Sequence, residues 1–210
     1  QTLYLEGLIS YPRTASQKLP AAIGYRAILQ KLAKQFPELA KHAKRSGPIE
    51  GEKTDPAHPA IFPTGERADK LTAVERAVYE LITRRFLACF AEDAVIENKV
   101  IKVTVEGKEF FAKGLQIREK GWLNVYKAKY TESEVPDLKG KVFVEEVKIE
   151  QKETQPPKRY TAASVVSVLT KRKLGTKGTR ATIIDTLYER GYIKDRSIVV
   201  TTLGLTVEEA

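Results

Sequence analysis

Near residue 92 the apolar pattern changes period, and that switch constrains the fold more than any other feature. Before it, Val74, Val78, Leu81, Ile82, Phe86 and Cys89 recur at helical spacing, and Thr72-Ala73-Val74-Glu75 has the spacing of a capping box. After it, Ile101, Val103 and Val105 alternate with polar residues, and Glu106-Gly107-Lys108 marks a hairpin turn. A helical pattern is unstable as a strand and the reverse, so the two regions call for different layers. Further strands are expected at residues 110–118 and 141–150. Upstream, residues 20–45 read as helical, with Ile23, Ala27, Leu29, Leu32 and Phe36 as the apolar stripe and a break at Pro37. Residues 46–65 form a Gly- and Pro-rich connection.

Pro156-Pro157 closes the β region. Residues 161–173 then read as a helix with Thr161 as N-cap, Gly175 and Gly178 punctuate a turn, and a second helix spans about 180–190. Gly191 is placed to stop that helix, and a short strand pair is expected over 193–201. Helix, turn, helix and strands make a helix-turn-helix with a wing. The expected fold class is α+β and multidomain: a helical domain over 1–91, a β-rich domain over 92–154 and a basic helical segment over 155–210.

The 210-residue chain is 42% hydrophobic and carries a formal charge of +9. The charge is uneven. Residues 156–200 hold ten Lys and Arg against three acids, a net of +7. A mixed Lys/Glu surface would not concentrate one sign in this way, so a polyanion partner is expected, bound with strong salt dependence. No apolar run reaches the roughly 18–20 residues that span a bilayer. The lone Cys89 allows no internal disulfide, fits a reducing cytoplasm and reads as a small core hydrophobe. No cluster with zinc spacing and no acidic triplet is present, so no metal site is expected in this chain. Without methionine, and opening on Gln1 within a helical-looking stretch, the chain is expected to be an internal piece of a longer protein.

The chemistry concentrates in Ile9-Ser10-Tyr11-Pro12-Arg13-Thr14-Ala15. Pro12 fixes its own φ and favours an extended Tyr11, which predicts Tyr11 and Arg13 on one side. A tyrosine hydroxyl beside a guanidinium is equipped to attack a phosphodiester while the cation neutralises developing charge on phosphoryl oxygens. Any single tyrosine of the nine in the chain is more often a packing residue.

The stretch Leu8–Thr14 resembles the active-site signature of type IA DNA topoisomerases, and the following Ser16-Gln17-Lys18-Leu19-Pro20 resembles the archaeal branch. Asp55-Pro56-Ala57-His58-Pro59-Ala60-Ile61 and Gly175-Thr176-Lys177-Gly178-Thr179-Arg180-Ala181-Thr182-Ile183-Ile184 fit the same family in the same order. The resemblance implies that Tyr11 attaches to a 5′ phosphate, that Arg13 holds the scissile group and that His58 contacts DNA nearby. It also implies DNA contacts at Lys177, Thr179, Arg180 and Arg190. Residue chemistry alone leaves His58 an exposed loop histidine and Thr179 a plain N-cap. Thr176 and Gly178 stand where bacterial relatives often have arginine and serine, so no contact is carried over to them.

By the same resemblance, the β-rich region is part of an arch around a DNA-sized hole. The cofactor is Mg²⁺, bound by a Toprim domain outside this chain. The implied activity is ATP-independent single-strand cleavage, strand passage and religation, which relaxes negative supercoils or decatenates DNA. This piece alone is expected to bind single-stranded DNA without cutting it. The implied setting is a monomer in the cytoplasm, associated with the nucleoid. Two rivals stand beside this reading: the topoisomerase module of a reverse gyrase, and a non-catalytic single-stranded DNA-binding module built on the helix-turn-helix.

Overall fold

A computed structural model describes residues 1–67 and 69–210. The fold is mixed: helices with two small two-stranded antiparallel sheets. Packing divides the chain into two compact units, residues 1–141 and 142–210.

In the first unit, the expected 20–45 helix is three pieces. A 3₁₀ turn over Ala21–Ile23 ends at Gly24, α2 runs Tyr25–Gln35, and α3 covers Pro37–Ala40 (after the one-turn α1, Thr2–Leu5). The break falls at Phe36, and Pro37 opens α3 because its missing N–H costs nothing at a first helical position. Ile28 and Leu32 form the buried stripe; Ala27, expected there, is exposed.

The long helix α4, Ala73–Cys89, starts at the predicted capping box. Thr72 Oγ1 accepts from the Glu75 N–H, and the Glu75 carboxylate accepts from the Thr72 N–H at 3.0 Å. Those hydrogen bonds hold the Glu75 carboxyl below its ordinary range. The buried face matches the expected one only in part, at Phe86. Tyr79, Thr83, Phe86 and Leu87 point inward, whereas Val74, Val78 and Leu81 are exposed. Thr83 is fully buried in the true stripe, and this polar residue weakened the sequence pattern on that face. Cys89 is half-buried; burial pushes its thiol up, and its S–H donates to the Arg85 carbonyl.

Leu19, Ile28, Leu32, Phe86, Leu87, Phe90 and Val125 make the main core. Burying an aliphatic or aromatic side chain of this kind is worth about 2 kcal/mol relative to exposure. Trp122 packs against this cluster, as expected of an anchor. A second cluster joins Leu3, Leu8, Ile9 and Tyr79. Leu8 and Ile9 therefore root the tyrosine segment in the core two residues before Tyr11.

β1 (Val95–Val105) and β2 (Lys108–Glu119) pair antiparallel in the register Val105↔Lys108. The two-residue turn has φ of +48° at Glu106 and +78° at Gly107, the signs of a type I′ hairpin. Residues 141–150, expected as a strand, form none, and Phe143, Val147 and Ile149 lie largely exposed. Alternation alone cannot make a strand without a neighbour to complete its hydrogen bonds.

The second unit has α5 (Ala162–Lys171), α6 (Arg180–Glu189), the two-residue strands β3 (Ile193–Lys194) and β4 (Val199–Val200), and α7 (Thr202–Glu209). Thr161 caps α5 through the Ser164 N–H. Ile184 of α6 is its buried anchor, and α7 was not foreseen from sequence. Gly191 stops α6 as predicted: its φ is +69°, its N–H donates to Tyr188, and the Tyr192 N–H reaches the Leu187 carbonyl. That is a Schellman motif. A Cβ at Gly191 would meet nothing within 4 Å, so only backbone strain opposes it. Gly191→Ala should destabilise this unit by about 1 kcal/mol, and Gly191→Asn by less. Thermal unfolding monitored at this unit checks both; equal stability of all three would contradict the assigned cap.

Candidate nucleic-acid cleavage site

Tyr11 sits in a loop strip made by residues 7–18 running against residues 50–64. The Thr64 N–H donates to Leu8 at 3.0 Å, Ile9 bridges Pro63, and the Ser10 N–H donates to Phe62 at 2.9 Å. Ser10 Oγ in turn accepts from the Phe62 N–H at 3.0 Å. Beyond Tyr11, Thr14 Oγ1 donates to the His58 carbonyl at 3.2 Å, and the Ala15 N–H donates to Asp55 Oδ2 at 3.2 Å. Farther on, the Gln17 N–H donates to Lys53 at 2.7 Å and the Ala60 N–H to Lys18 at 2.8 Å. At the end of the strip Glu50 accepts from the Leu19 N–H and pairs with Lys18 at 3.6 Å.

This stitching brings together two of the residues singled out from sequence. The Tyr11 and His58 rings lie 4.4 Å apart at a 41° tilt. Tyr4 of α1 meets the Tyr11 ring edge-on at 5.4 Å and 78°. Tyr11 is thus half-buried between an imidazole and a second phenol, geometry that favours aromatic contact and fixes the ring plane. Arg13 is exposed, and among the described residues its side chain makes no hydrogen bond or ion pair. A guanidinium without a counterion beside a tyrosine is available to an incoming anion.

Four residues of this site were not foreseen. Tyr4 looked like any other tyrosine because its partner is seven positions away and the helix between them ends at Leu5. Ser10 and Thr14 lie within the motif, yet their work is to reach across to residues 58–62. Asp55 sits in an Asp-Pro turn, whose sequence signal points to a local turn; its longer-range partner is invisible without the fold.

In the second unit, Lys177 and Thr179 lie in the turn before α6, Arg180 is the first residue of that helix, and Arg190 stands exposed at its far end. Thr179 does not cap α6. Its hydroxyl accepts from the Thr176 N–H at 2.9 Å and so closes the turn. Arg180 Nε donates to the Leu174 carbonyl at 2.8 Å and Nη2 to Gly175 at 3.0 Å. The turn is therefore braced by the side chains expected to meet phosphate. Among the described residues, no group of three or more His, Cys, Asp or Glu side chains could hold a metal ion. Nor is any helix long and apolar enough to cross a membrane.

A family model described as DNA topoisomerase matches residues 1–210. DNA topoisomerase 1 of Pyrococcus horikoshii is 45% identical over all of this chain, which covers 32% of that protein. DNA topoisomerase 1 of Methanocaldococcus jannaschii is also 45% identical over all of it, covering 29%. The solved structure of full-length topoisomerase I from Thermotoga maritima aligns with 96% of this chain at a TM-score of 0.72 and 28% identity, covering 34% of that chain. The chain spans about a third of the length of the relatives it matches. Motif order, fold and whole-chain similarity agree: this chain belongs to the type IA DNA topoisomerase family.

Proposed function

We propose that Tyr11 is the nucleophile that cuts one DNA strand. The observation that supports this most directly is the bracketing of its ring between His58 at 4.4 Å and Tyr4 at 5.4 Å, with unpaired Arg13 two residues on. The phenol oxygen attacks phosphorus as the bond to O3′ breaks. The leaving 3′ oxygen takes a proton, and the 5′ phosphate stays on Tyr11. The phosphotyrosyl bond retains the energy of the broken one, so attack by the 3′-OH reseals the strand without ATP. Arg13 stabilises charge on the non-bridging oxygens as it develops, and His58 holds the adjoining backbone.

Between cutting and sealing, another strand passes through the gap. The net result is relaxation of negative supercoils or decatenation, with single-stranded and negatively supercoiled DNA as substrates. Residues 92–154 would serve as the arch, and Lys177, Thr179, Arg180 and Arg190 as backbone contacts. Arg180 spends Nε and one Nη2 proton on the turn, leaving its remaining N–H donors for phosphate. Among the described residues no group of three or more His, Cys, Asp or Glu could hold a metal ion, and in this reading Mg²⁺ would be held by a Toprim domain of the longer protein. This stretch alone therefore binds single strands without cleaving them. The protein would act as a monomer on nucleoid DNA.

In the full-length protein, Tyr11→Phe should abolish covalent protein–DNA adducts on 3′-labelled single-stranded DNA and leave affinity within about threefold. Loss of binding as well would make Tyr11 a structural residue. Arg13→Ala should lower the cleavage rate by roughly 10²-fold, the scale of losing one oxyanion donor, with a much smaller change in Kd. Parallel losses would remove Arg13 from the scissile phosphate. Affinity of the 210-residue chain for single strands should fall steeply between 50 and 200 mM salt, with a logarithmic slope of about −0.7 per phosphate neutralised. A flat response would reject electrostatic binding by the basic segment.

A further inference from the structure

Tyr11, Pro12 and Arg13 lie on a stretch that cannot fix its own shape. Pro12 has no N–H, and the Tyr11 and Arg13 amides make no backbone hydrogen bond among the described residues. Their placement therefore comes from the clamps at either end. Upstream, the clamp is the double hydrogen bond between Ser10 and Phe62, rooted in buried Ile9. Downstream, one carboxylate does most of the work. Asp55 Oδ2 accepts from the Ala15 N–H at 3.2 Å, and Oδ1 accepts from the Ala57 N–H at 3.2 Å. Ala15 is two residues beyond Arg13, and Ala57 is next to His58. The carboxylate thus ties together the two strips that bear the reacting groups.

We propose that Asp55 is a positioning residue for strand cleavage, whose two oxygens hold the Tyr11–Arg13 stretch in register with the His58 loop. This rests on the reading of Tyr11 as nucleophile. Thr14 adds a second tie, from its hydroxyl to the His58 carbonyl, but Thr14 belongs to the same stretch and moves with it. Asp55 is the side chain of the opposite strip that holds Ala15, whereas Lys53 and Glu50 hold Gln17 and Leu19 farther along. Two oxygens on two N–H donors also specify a carboxylate over an amide. Asparagine keeps one acceptor oxygen and places an NH₂ against the other N–H.

The test compares Asp55→Ala, Asp55→Asn and Tyr11→Phe with wild type in the full-length protein. Single-turnover adduct formation on 3′-labelled single-stranded DNA with Mg²⁺ is followed, together with DNA affinity and thermal midpoint. A misplacement of about 1 Å is enough to cost on the order of 10²-fold in rate. Asp55→Ala should therefore slow cleavage by roughly 10- to 100-fold with DNA affinity within about threefold. Asp55→Asn should fall between it and wild type, with the wild-type thermal midpoint. A merely structural residue would lower the midpoint and leave the rate per folded molecule unchanged, and that result overturns the proposal. So does wild-type cleavage by Asp55→Ala while Tyr11→Phe is dead. Adduct formation by Tyr11→Phe instead overturns the nucleophile assignment, and the positioning role falls with it.

Discussion

The C-terminal end of α4 leaves carbonyls that no helical N–H can reach, and a single loop supplies their donors. The Ile49 N–H donates to Cys89 at 2.7 Å, the Arg45 N–H to Phe90 at 2.8 Å, and Arg45 Nε to Ala91 at 2.8 Å. Unpaired and buried, such carbonyls would each cost about 1–3 kcal/mol. Around them Leu32, Leu87, Phe90 and Val125 close to zero exposure, which excludes the water that could otherwise substitute. On the other side Trp122 N–H binds the Glu92 carbonyl and Arg84 reaches Val125. Residues 44–50 are thus fixed by the helix end, and Glu50 passes the register to Leu19 and Lys18. The strip that carries Tyr11 is tied to that anchor at its Leu19 end and to the second cluster at its Leu8–Ile9 end.

Charge is handled differently where it is structural and where it is offered to a ligand. Lys31 pairs with Glu66, Lys44 with Glu92, Arg45 with Asp93 and Lys99 with Asp137. These bridges are largely exposed on at least one side and worth at most about 1 kcal/mol each. Each bridge neutralises its own two charges, while residues 1–141 as a whole keep an excess of Lys and Arg over Asp and Glu. Arg13 makes no ion pair among the described residues, although the Asp55 carboxylate is held on the Ala15 N–H two residues farther along. Arg180 solves the opposite problem, since the turn before α6 has exposed carbonyls at Leu174 and Gly175. The guanidinium satisfies them while keeping its positive charge, which braces the loop and leaves it basic.

Local signals in the sequence translated into structure with little loss. The Thr72–Glu75 capping box, the Glu106-Gly107 turn and the Gly191 stop each depend on a few adjacent residues, and each formed as read. Faces and partners fared worse. Of the α4 stripe read as Val74, Val78, Leu81, Ile82, Phe86 and Cys89, Phe86 is in the core, but Val74, Val78 and Leu81 are exposed and the core took Tyr79 and Thr83 instead, because neighbours rather than hydropathy decide which side is covered. Residues 141–150 have a strand's alternation and no strand's partner. At the site, the motif pointed to Tyr11 and His58, and the fold brings their rings together. Asp55 and Ser10 were silent because their partners lie 40 and 52 positions away, and no short-range pattern encodes such a pair.

If Tyr11 is the nucleophile, as proposed, a covalent intermediate that must be reversed places two demands on its segment. It must yield enough to admit a strand and to accommodate a phosphate on the phenol oxygen, and it must return the same oxygen to the same 3′ end. A tyrosine on a regular helix or central strand would meet the second demand at the expense of the first. Here the middle of the segment makes no backbone pairing among the described residues, while Leu8, Ile9 and Ser10 on one side and Thr14 and Ala15 on the other are tied down. Pro12 limits the freedom that remains by fixing one φ at the centre. The aromatic neighbours Tyr4 and His58 add lateral restraint without a bond that would have to break. Restraint at the ends and compliance in the middle is the division that the role proposed for Tyr11 would require.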